Sequence, residues 1–231
     1  MASTQLIKPI AERPANLTDM VLEAIQNAII DKSIPPGSHI SEASMAAALE
    51  VSKTPVREAL LRLRHIGLVA PAERGMRVVM PSPELIRNAY ELRGGVERTA
   101  AQLAAERASE EQLAMIESAA NMSLARAQAT DWEGFRASDT EFHTLIASAS
   151  RNPLVAGSVA DSLVLNAALF AREFRTTGDS VVCGQEHTAI SEALRQRDIE
   201  TAGRRAQQHV AHVMTMVLAA HADAAEAAEA S

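Results

Sequence analysis

The stretch ALEVSKTPVREALLRLRHIGLVAPAERGMRVV, residues 48–79, carries the strongest fold signal in this chain. Pro55 suits the first turn of a helix, where its missing N–H costs no hydrogen bond, and Gly67 suits the left-handed position that ends one. Two short apolar stretches, 68–70 and 76–80, follow and are separated by a turn containing proline and glycine. The pattern predicts a short helix, a tight turn, a second helix and a two-stranded wing.

The second of these helices has the groups that a DNA-reading helix needs at its N-terminus. Ser52 and Thr54 offer hydroxyls to phosphates, and Arg57, one turn further, can form two hydrogen bonds with a guanine edge. Other predicted DNA contacts are Lys53, Arg62 and Arg64 on phosphates, and Arg74, beside Gly75 at the hairpin tip, in a minor groove. Taken singly, such residues also cap helices or form solvated surfaces, but their joint order favours double-stranded DNA as the partner.

The distribution of charge agrees with a local DNA-binding surface, although the chain has a net charge of −7. Residues 1–80 hold nine Lys/Arg and eight Asp/Glu, whereas the rest of the chain holds thirteen and twenty-one. Within residues 51–77 there are six positive side chains and two negative ones. We therefore expect residues 51–77 to face DNA and the acidic part of the chain to point away from it.

The chain divides near Pro81-Ser82-Pro83, which we interpret as a hinge between two domains at 10–80 and 84–222. The fold class is mainly α: an N-terminal winged helix-turn-helix and a C-terminal bundle of six to seven helices. Helices are predicted at 16–32 and 41–49, and in the bundle at 83–106, 109–128, 131–149, 153–175, 180–196 and 198–222. Residues 1–15 are expected to form a loose arm, and the Ala/Glu-rich tail to fray.

Composition excludes several classes of protein. Because the chain has a single cysteine, Cys183, it can form neither an internal disulfide nor a metal site with several cysteine ligands. The longest apolar stretch, Val210–Ala220, is interrupted by His212 and is too short to span a membrane. No leader segment is apparent, so a cytoplasmic protein without a membrane partner is expected.

The C-terminal half contains a candidate metal site. Asp139 and His143 are four residues apart on one predicted helix, while His187 and His209 lie on later helices. One carboxylate and three imidazoles can hold a divalent transition metal such as Zn²⁺, Ni²⁺ or Mn²⁺. From spacing alone, His212 is as available as His209, and lone helical histidines are more often surface or core residues.

Two resemblances make these hypotheses more specific. The sequence VSKTPVREALxRLxxxGLV at 51–69, with the flanking residues of 20–80, resembles the winged helix-turn-helix of GntR-family bacterial regulators. The arginine usual between the serine and threonine of that family is Lys53 here, which keeps the charge but cannot form a bidentate fork. The resemblance implies a homodimer that binds a palindromic operator.

The second part, 84–215, resembles the FCD effector domain of FadR-type GntR regulators. The resemblance rests on the surroundings of Asp139 and His143, on Asn152-Pro153-Leu154, on Glu186-His187 and on His209. It implies that Asp139, His143, His187 and His209 hold the metal, and that the metal helps to anchor a small carboxylate effector. By the same resemblance Arg93 pairs with that carboxylate, although an ion pair with Glu97 is the competing interpretation.

Three further side chains are candidates for the effector pocket. Asn166, Arg172 and Arg175 are candidates to line it, with helix-surface roles as the alternative, and Gly94-Gly95 is expected to add room or flexibility beside it.

These observations predict a ligand-responsive transcription regulator, with repression as the expected mode, and not an enzyme. A second hypothesis is a metal-dependent hydrolase with an appended DNA-binding domain, in which Glu141 or Glu186 serves as base. A third is an architectural DNA binder, which needs neither pocket nor metal.

Overall fold

The computed structural model of the protein describes residues 16–169 and 177–229, and the chain divides into two compact units between Val79 and Met80. The elements of the N-terminal unit are α1 (Asn16–Ile30), β1 (His39–Ile40), α2 (Glu42–Ala48), α3 (Lys53–Ile66), β2 (Val69–Pro71) and β3 (Met76–Val78). The predicted arm, 1–15, lies outside the described residues.

Local sequence signals account for the helix boundaries of this unit. The Ser41 side chain accepts a hydrogen bond from the Ser44 amide, and the Ser44 side chain accepts one from the Ser41 amide, so a capping box begins α2. Gly67 ends α3 with φ of 92°, a left-handed conformation that a side chain would strain. Helix α3 packs against both α1 and α2 and buries Val56, Ala59 and Leu63 completely.

The wing is a three-stranded antiparallel sheet in the order β1-β3-β2, with Val69 opposite Val78 and Ile40 opposite Met76. The prediction of a two-stranded wing was therefore incomplete, because β1 pairs with the edge of β3 that faces away from β2. Two residues are too few for an alternating pattern, so the sequence gives no signal for this strand. Ile40 is buried, which anchors the added strand in the core.

The described part of the C-terminal unit contains six helices. They are α4 (Pro83–Arg107), α5 (Glu110–Gln128), α6 (Trp132–Ala149), α7 (Pro153–Leu169), α8 (Thr177–Arg195) and α9 (Ile199–Glu229). Ser82, Ser109 and Asp131 accept hydrogen bonds at the N-termini of α4, α5 and α6. Helix α4 packs against α6, α7, α8 and α9, and α5 packs against α6 and α8.

Several helix boundaries differ from those predicted. Helix α1 ends at Ile30, two residues before the predicted end at 32, and α8 begins at Thr177, three residues before the predicted start at 180. Helix α9 continues to Glu229 instead of ending at 222, because alanine and glutamate have high helix propensity. The predicted end of α7 falls in residues 170–176, which lie outside the described residues together with Arg172 and Arg175. Among the residues that the structure describes, no helix combines the length and apolarity needed to span a membrane.

The Gly94-Gly95 pair does not interrupt α4, which is continuous from Pro83 to Arg107. A methyl group added at Gly94 would lie 3.7 Å from Cγ1 of Val210, in ordinary contact with α9, and one added at Gly95 would meet nothing within 4 Å. Gly94 is thus packed against a neighbouring helix.

Candidate functional sites

The predicted DNA-reading surface is exposed along the first turn of α3. Ser52, Lys53 and Thr54 are solvent-exposed, and the Ser52 hydroxyl makes no capping hydrogen bond although Ser52 is the N-cap residue. Pro55 and Val56, which follow directly, are buried and fix the orientation of this turn. The turn therefore offers two hydroxyls, an ammonium group and the free amides of a helix N-terminus to an anionic partner.

Two of the three arginines predicted to contact DNA from the body of α3 are engaged with acidic side chains, while Arg64 is exposed on the same helix. Arg57 makes a bidentate ion pair with Glu42 on α2, with Nε–Oε1 and Nη2–Oε2 distances of 2.8 and 2.9 Å. Arg62 Nη1 lies 2.6 Å from Asp19 Oδ1 on α1. All four side chains are substantially exposed, so these pairs are weak in water and a phosphate or base can replace the carboxylates.

The tip of the wing requires glycine at residue 75. Gly75 has φ of 79°, and a Cβ atom there would lie 2.5 Å from the Ile40 carbonyl oxygen of β1. Its carbonyl accepts a hydrogen bond of 3.2 Å from the Ala72 amide, which closes the turn. Arg74 is exposed beside it, so the tip presents a cation on a short, tightly closed hairpin.

The four predicted metal ligands converge inside the C-terminal unit. Asp139 and His143 project from α6, His187 from α8 and His209 from α9, and one ligand atom from each lies within 4.8 Å of all the others. The His187 Nε2 atom is 3.3 Å from His209 Nε2 and 3.4 Å from Asp139 Oδ1. Ligands bound at about 2.1 Å from one ion are separated by roughly 3.0–3.4 Å when adjacent, so these spacings fit a shared cation.

Each of the three imidazoles has its Nδ1 atom occupied by a second residue. His143 Nδ1 lies 2.7 Å from Glu97 Oε2. His187 Nδ1 lies 2.9 Å from the Ser123 hydroxyl, and His209 Nδ1 lies 2.8 Å from Glu186 Oε2.

We call Glu97, Ser123 and Glu186 the outer set. They fix the ring orientations and leave all three Nε2 atoms facing the cluster, as in protein metal sites. Among the residues that the structure describes, His143 Nε2 has no hydrogen-bond partner despite its burial. The orphaned nitrogen is the donor that a metal would use.

The electrostatics of the cluster favour a bound cation. Burial lowers the pKa of both His187 and His209, so these imidazoles are neutral, as metal ligands must be. Burial acts in the same direction on His143, but the Glu97 carboxylate outweighs it and raises the pKa of His143 to about 9. A cation entering the site must therefore displace a proton from His143. Although burial opposes its ionisation, His143 holds the pKa of the Asp139 carboxyl well below its usual range.

Two packing contacts determine the surroundings of His187. The ring of Phe142 stacks on that of His187 with centroids 4.4 Å apart and shields one side of the cluster. At the α5–α8 contact, a Cβ atom on Gly184 would lie only 2.7 Å from the Leu124 Cα atom. This close approach of the two helices is what allows Ser123, next to Leu124, to reach His187.

The predicted effector residues are both buried in the C-terminal unit. Arg93 Nε makes an ion pair of 2.5 Å with Glu97 Oε1, so the competing interpretation of an intrahelical pair describes the geometry observed. Glu97 also contacts His143 and thereby links Arg93 to the cluster of candidate metal ligands. Asn166, on α7, is 3% exposed, and neither its Oδ1 nor its Nδ2 has a hydrogen-bond partner within residues 16–169 and 177–229. An amide buried in this way is a donor and acceptor available to a ligand.

The candidate bases of the hydrolase hypothesis are poorly arranged for that role. Glu141 is exposed on α6. The Glu186 carboxylate accepts hydrogen bonds from both His209 and His212. Neither carboxylate is thus free beside the ligand cluster to activate water.

Sequence reasoning missed the outer set of residues. The sequence suggests Glu97 as a partner of Arg93 and Glu186 as a base and as part of the FCD resemblance, but it gives neither of them, nor Ser123, the role of orienting a histidine. The four-residue spacing of Arg93 and Glu97 was the available signal for a buried polar pair. No comparable signal exists for Ser123, because its role depends on the close packing of α5 and α8.

Comparison with known proteins identifies both units. Residues 17–78 match the family described as bacterial regulatory proteins, gntR family, and residues 88–212 match the FCD domain. The chain is 30% identical over 229 residues to the HTH-type transcriptional repressor NanR of Cronobacter sakazakii, an alignment covering 88% of this chain and 85% of the relative. It is 29% identical over 220 residues to the galactonate operon transcriptional repressor of Escherichia coli K12, covering 85% and 94% of the two chains.

A solved structure shares the fold. The E. coli protein McbR/YncC superposes with a TM-score of 0.74 at 18% identity, covering 90% of this chain and 99% of the other. At this identity the likeness supports the architecture alone, a winged helix-turn-helix followed by a helical unit.

Proposed function

From the premise that the chain belongs to the GntR family of bacterial regulatory proteins and carries an FCD domain, we propose that this transcriptional regulator is a metal-dependent sensor of a small carboxylate. Binding of the carboxylate in the C-terminal unit changes the affinity of the N-terminal unit for its operator. Repression is the proposed mode, since two relatives that align over most of their length are named as repressors.

The observation that carries this proposal is the arrangement of Asp139, His143, His187 and His209. Four side chains from three helices direct ligand atoms at one point, and each imidazole is oriented by another residue through its Nδ1 atom. A bound divalent metal would supply a Lewis-acidic centre to which a carboxylate oxygen can bind. Four protein ligands leave further positions open on a metal that accepts five or six ligands.

The polar groups around the cluster support a carboxylate as the ligand class. Arg93 is a buried guanidinium, and its ion pair with Glu97 keeps it in place. Asn166 offers a buried amide without a partner in the described part of the chain. One relative is named for the galactonate operon, and galactonate is itself a carboxylate, which makes sugar acids the first compounds to test.

Two copies of the chain are proposed to act together on DNA. A homodimer would present two α3 helices to the half-sites of a palindromic operator. The effector changes operator affinity only if it binds two states of the dimer with different affinity, and operator DNA must then change effector affinity by the same factor. Residues 81–83 and α4, which connect the two units in sequence, are the proposed route of this coupling.

The experiment that tests the proposal measures operator affinity by fluorescence anisotropy, with an operator selected from random DNA. A panel of sugar acids and other small carboxylates is added to the metal-loaded protein and to the His143→Ala variant. We expect at least one carboxylate to shift the affinity of the native protein and to have no effect on the variant, which still binds operator. Unchanged affinity across the panel, or an equal response of the variant, would contradict the proposal.

A further inference from the structure

A second cluster of metal-ligating side chains lies beside the first and is distinct from it. Cys183 and Glu186, three residues apart on α8, and His212 on α9 place one ligand atom each within 4.8 Å of one another. Glu186 Oε1 lies 3.1 Å from His212 Nδ1. None of these three residues belongs to the Asp139–His143–His187–His209 set. We propose that Cys183, Glu186 and His212 form a second metal site for a borderline or soft divalent cation such as Zn²⁺.

The donor set supports this class of ion. One sulfur, one imidazole nitrogen and one carboxylate oxygen are ligands that Zn²⁺ accepts, and the sulfur disfavours Mg²⁺ and Ca²⁺. The site is built on two packed helices, with Cys183 and Glu186 on one face of α8 because residues three apart share a face. His212 lies one turn beyond His209 on α9, so both sites take ligands from the contact between α8 and α9.

Burial differs between the ligands in a way that gives a cation access. Cys183 is 4% exposed, whereas the side chains of Glu186 and His212 are each 30% exposed. Burial, together with nearby carboxylates, raises the pKa of the Cys183 thiol, so this sulfur is protonated until a metal binds. Binding forms a sulfur–metal bond and releases the thiol proton to solvent through the open edge.

Glu186 connects the two sites. Its Oε2 atom accepts from His209 Nδ1 at 2.8 Å, and His212 Nδ1 lies 3.1 Å from both Oε1 and Oε2. A carboxylate has enough lone pairs to bind a metal through one oxygen and to keep the His209 hydrogen bond on the other. A cation in the second site withdraws charge from Glu186 and weakens it as an acceptor for His209. The two sites are therefore linked, and each lowers the affinity of the other.

The test is a titration of the full-length, metal-stripped protein with Co²⁺ under nitrogen. Cysteine thiolate bound to Co²⁺ gives a sulfur-to-metal charge-transfer absorption. The chain has one cysteine, so this absorption reports Cys183 alone. The native protein should bind a second equivalent of Co²⁺ together with this absorption. Cys183→Ser and His212→Gln should each lose the second equivalent and the absorption while they keep the first equivalent.

Further variants separate this inference from the proposed function. His143→Ala should lose the first equivalent and keep the charge-transfer absorption, and His221→Gln, also on α9 but outside both clusters, should behave as native protein. Absence of the absorption from the native protein would overturn the second site, whatever happens at the first. Its persistence at full strength in His212→Gln would also overturn the second site. The partly exposed His212 provides a test that does not depend on the folding of the Cys183 variant.

Discussion

Glu97 Oε2 lies 2.7 Å from His143 Nδ1, and the other oxygen of the same carboxylate lies 2.5 Å from Arg93 Nε. One buried acidic side chain therefore holds both a predicted metal ligand and the predicted effector-binding arginine. Although burial opposes its ionisation, Arg93 and His143 hold the pKa of the Glu97 carboxyl well below its usual range. Glu97 is thus a charged side chain that connects His143, a candidate metal ligand, with Arg93, the candidate effector-binding residue.

Glu97→Gln is expected to weaken metal binding. The amide keeps the shape of the side chain and can still accept from His143, but it loses the charge that makes the imidazole a better ligand. Loss of such an outer partner lowers metal affinity by about 10- to 100-fold, which competition with a chromophoric chelator measures. Glu91→Gln, on the exposed side of the same helix, is the matched control. Equal affinities for Glu97→Gln and native protein would show that Glu97 does not support the site.

Gly184→Ala is expected to destabilise the C-terminal unit. The added methyl group would lie 2.7 Å from the Leu124 Cα atom, so α5 and α8 must move apart. Overpacking of this kind costs about 1–3 kcal/mol of unfolding free energy, measured by urea denaturation. The control is Gly157→Ala on α7, where an added methyl group meets nothing within 4 Å. That substitution should stabilise the protein by about 0.5–1 kcal/mol, and similar effects at both positions would refute the packing argument.

Arg57→Ala is expected to weaken operator binding without changing metal content. The guanidinium is exposed and is held by Glu42, which a guanine edge can replace. Loss of a bidentate base contact should reduce affinity on the order of 10- to 100-fold and relax specificity at one base pair. Fluorescence anisotropy with single-base operator variants measures both effects, with Arg87→Ala in the C-terminal unit as control. Unaltered specificity would place Arg57 outside the base-reading contacts.

The sequence was a good guide where local chemistry determines structure. Gly67 and Ser41 predicted helix ends that the structure confirms, because capping depends on adjacent residues. The resemblance brought together four metal-ligand candidates from three helices, which spacing alone could not do. The structure also separates His209 from His212, two residues that were equivalent by sequence and that belong to different clusters.

What could not be predicted depends on contacts between distant segments. The pairing of β1 with β3 joins residues almost forty positions apart through a strand of two residues. Ser123 reaches His187 because Gly184 lets α5 and α8 approach each other closely. A serine and a glycine in a sequence do not by themselves indicate such a contact. Two exposed arginines of α3, Arg57 and Arg62, are paired with Glu42 and Asp19, which lie on other helices of the same unit.

Metal content of the purified protein tests the central claim most directly. Elemental analysis compares the native protein with His143→Ala/His187→Ala after both have been reconstituted with Zn²⁺, Ni²⁺ or Mn²⁺ in turn. His65→Ala, an exposed histidine on α3, is the control for histidine loss in general. We predict that the double variant holds about one equivalent of metal less than the native and control proteins. Equal metal in native protein and double variant, or none in the native protein after reconstitution, would contradict the sensor site.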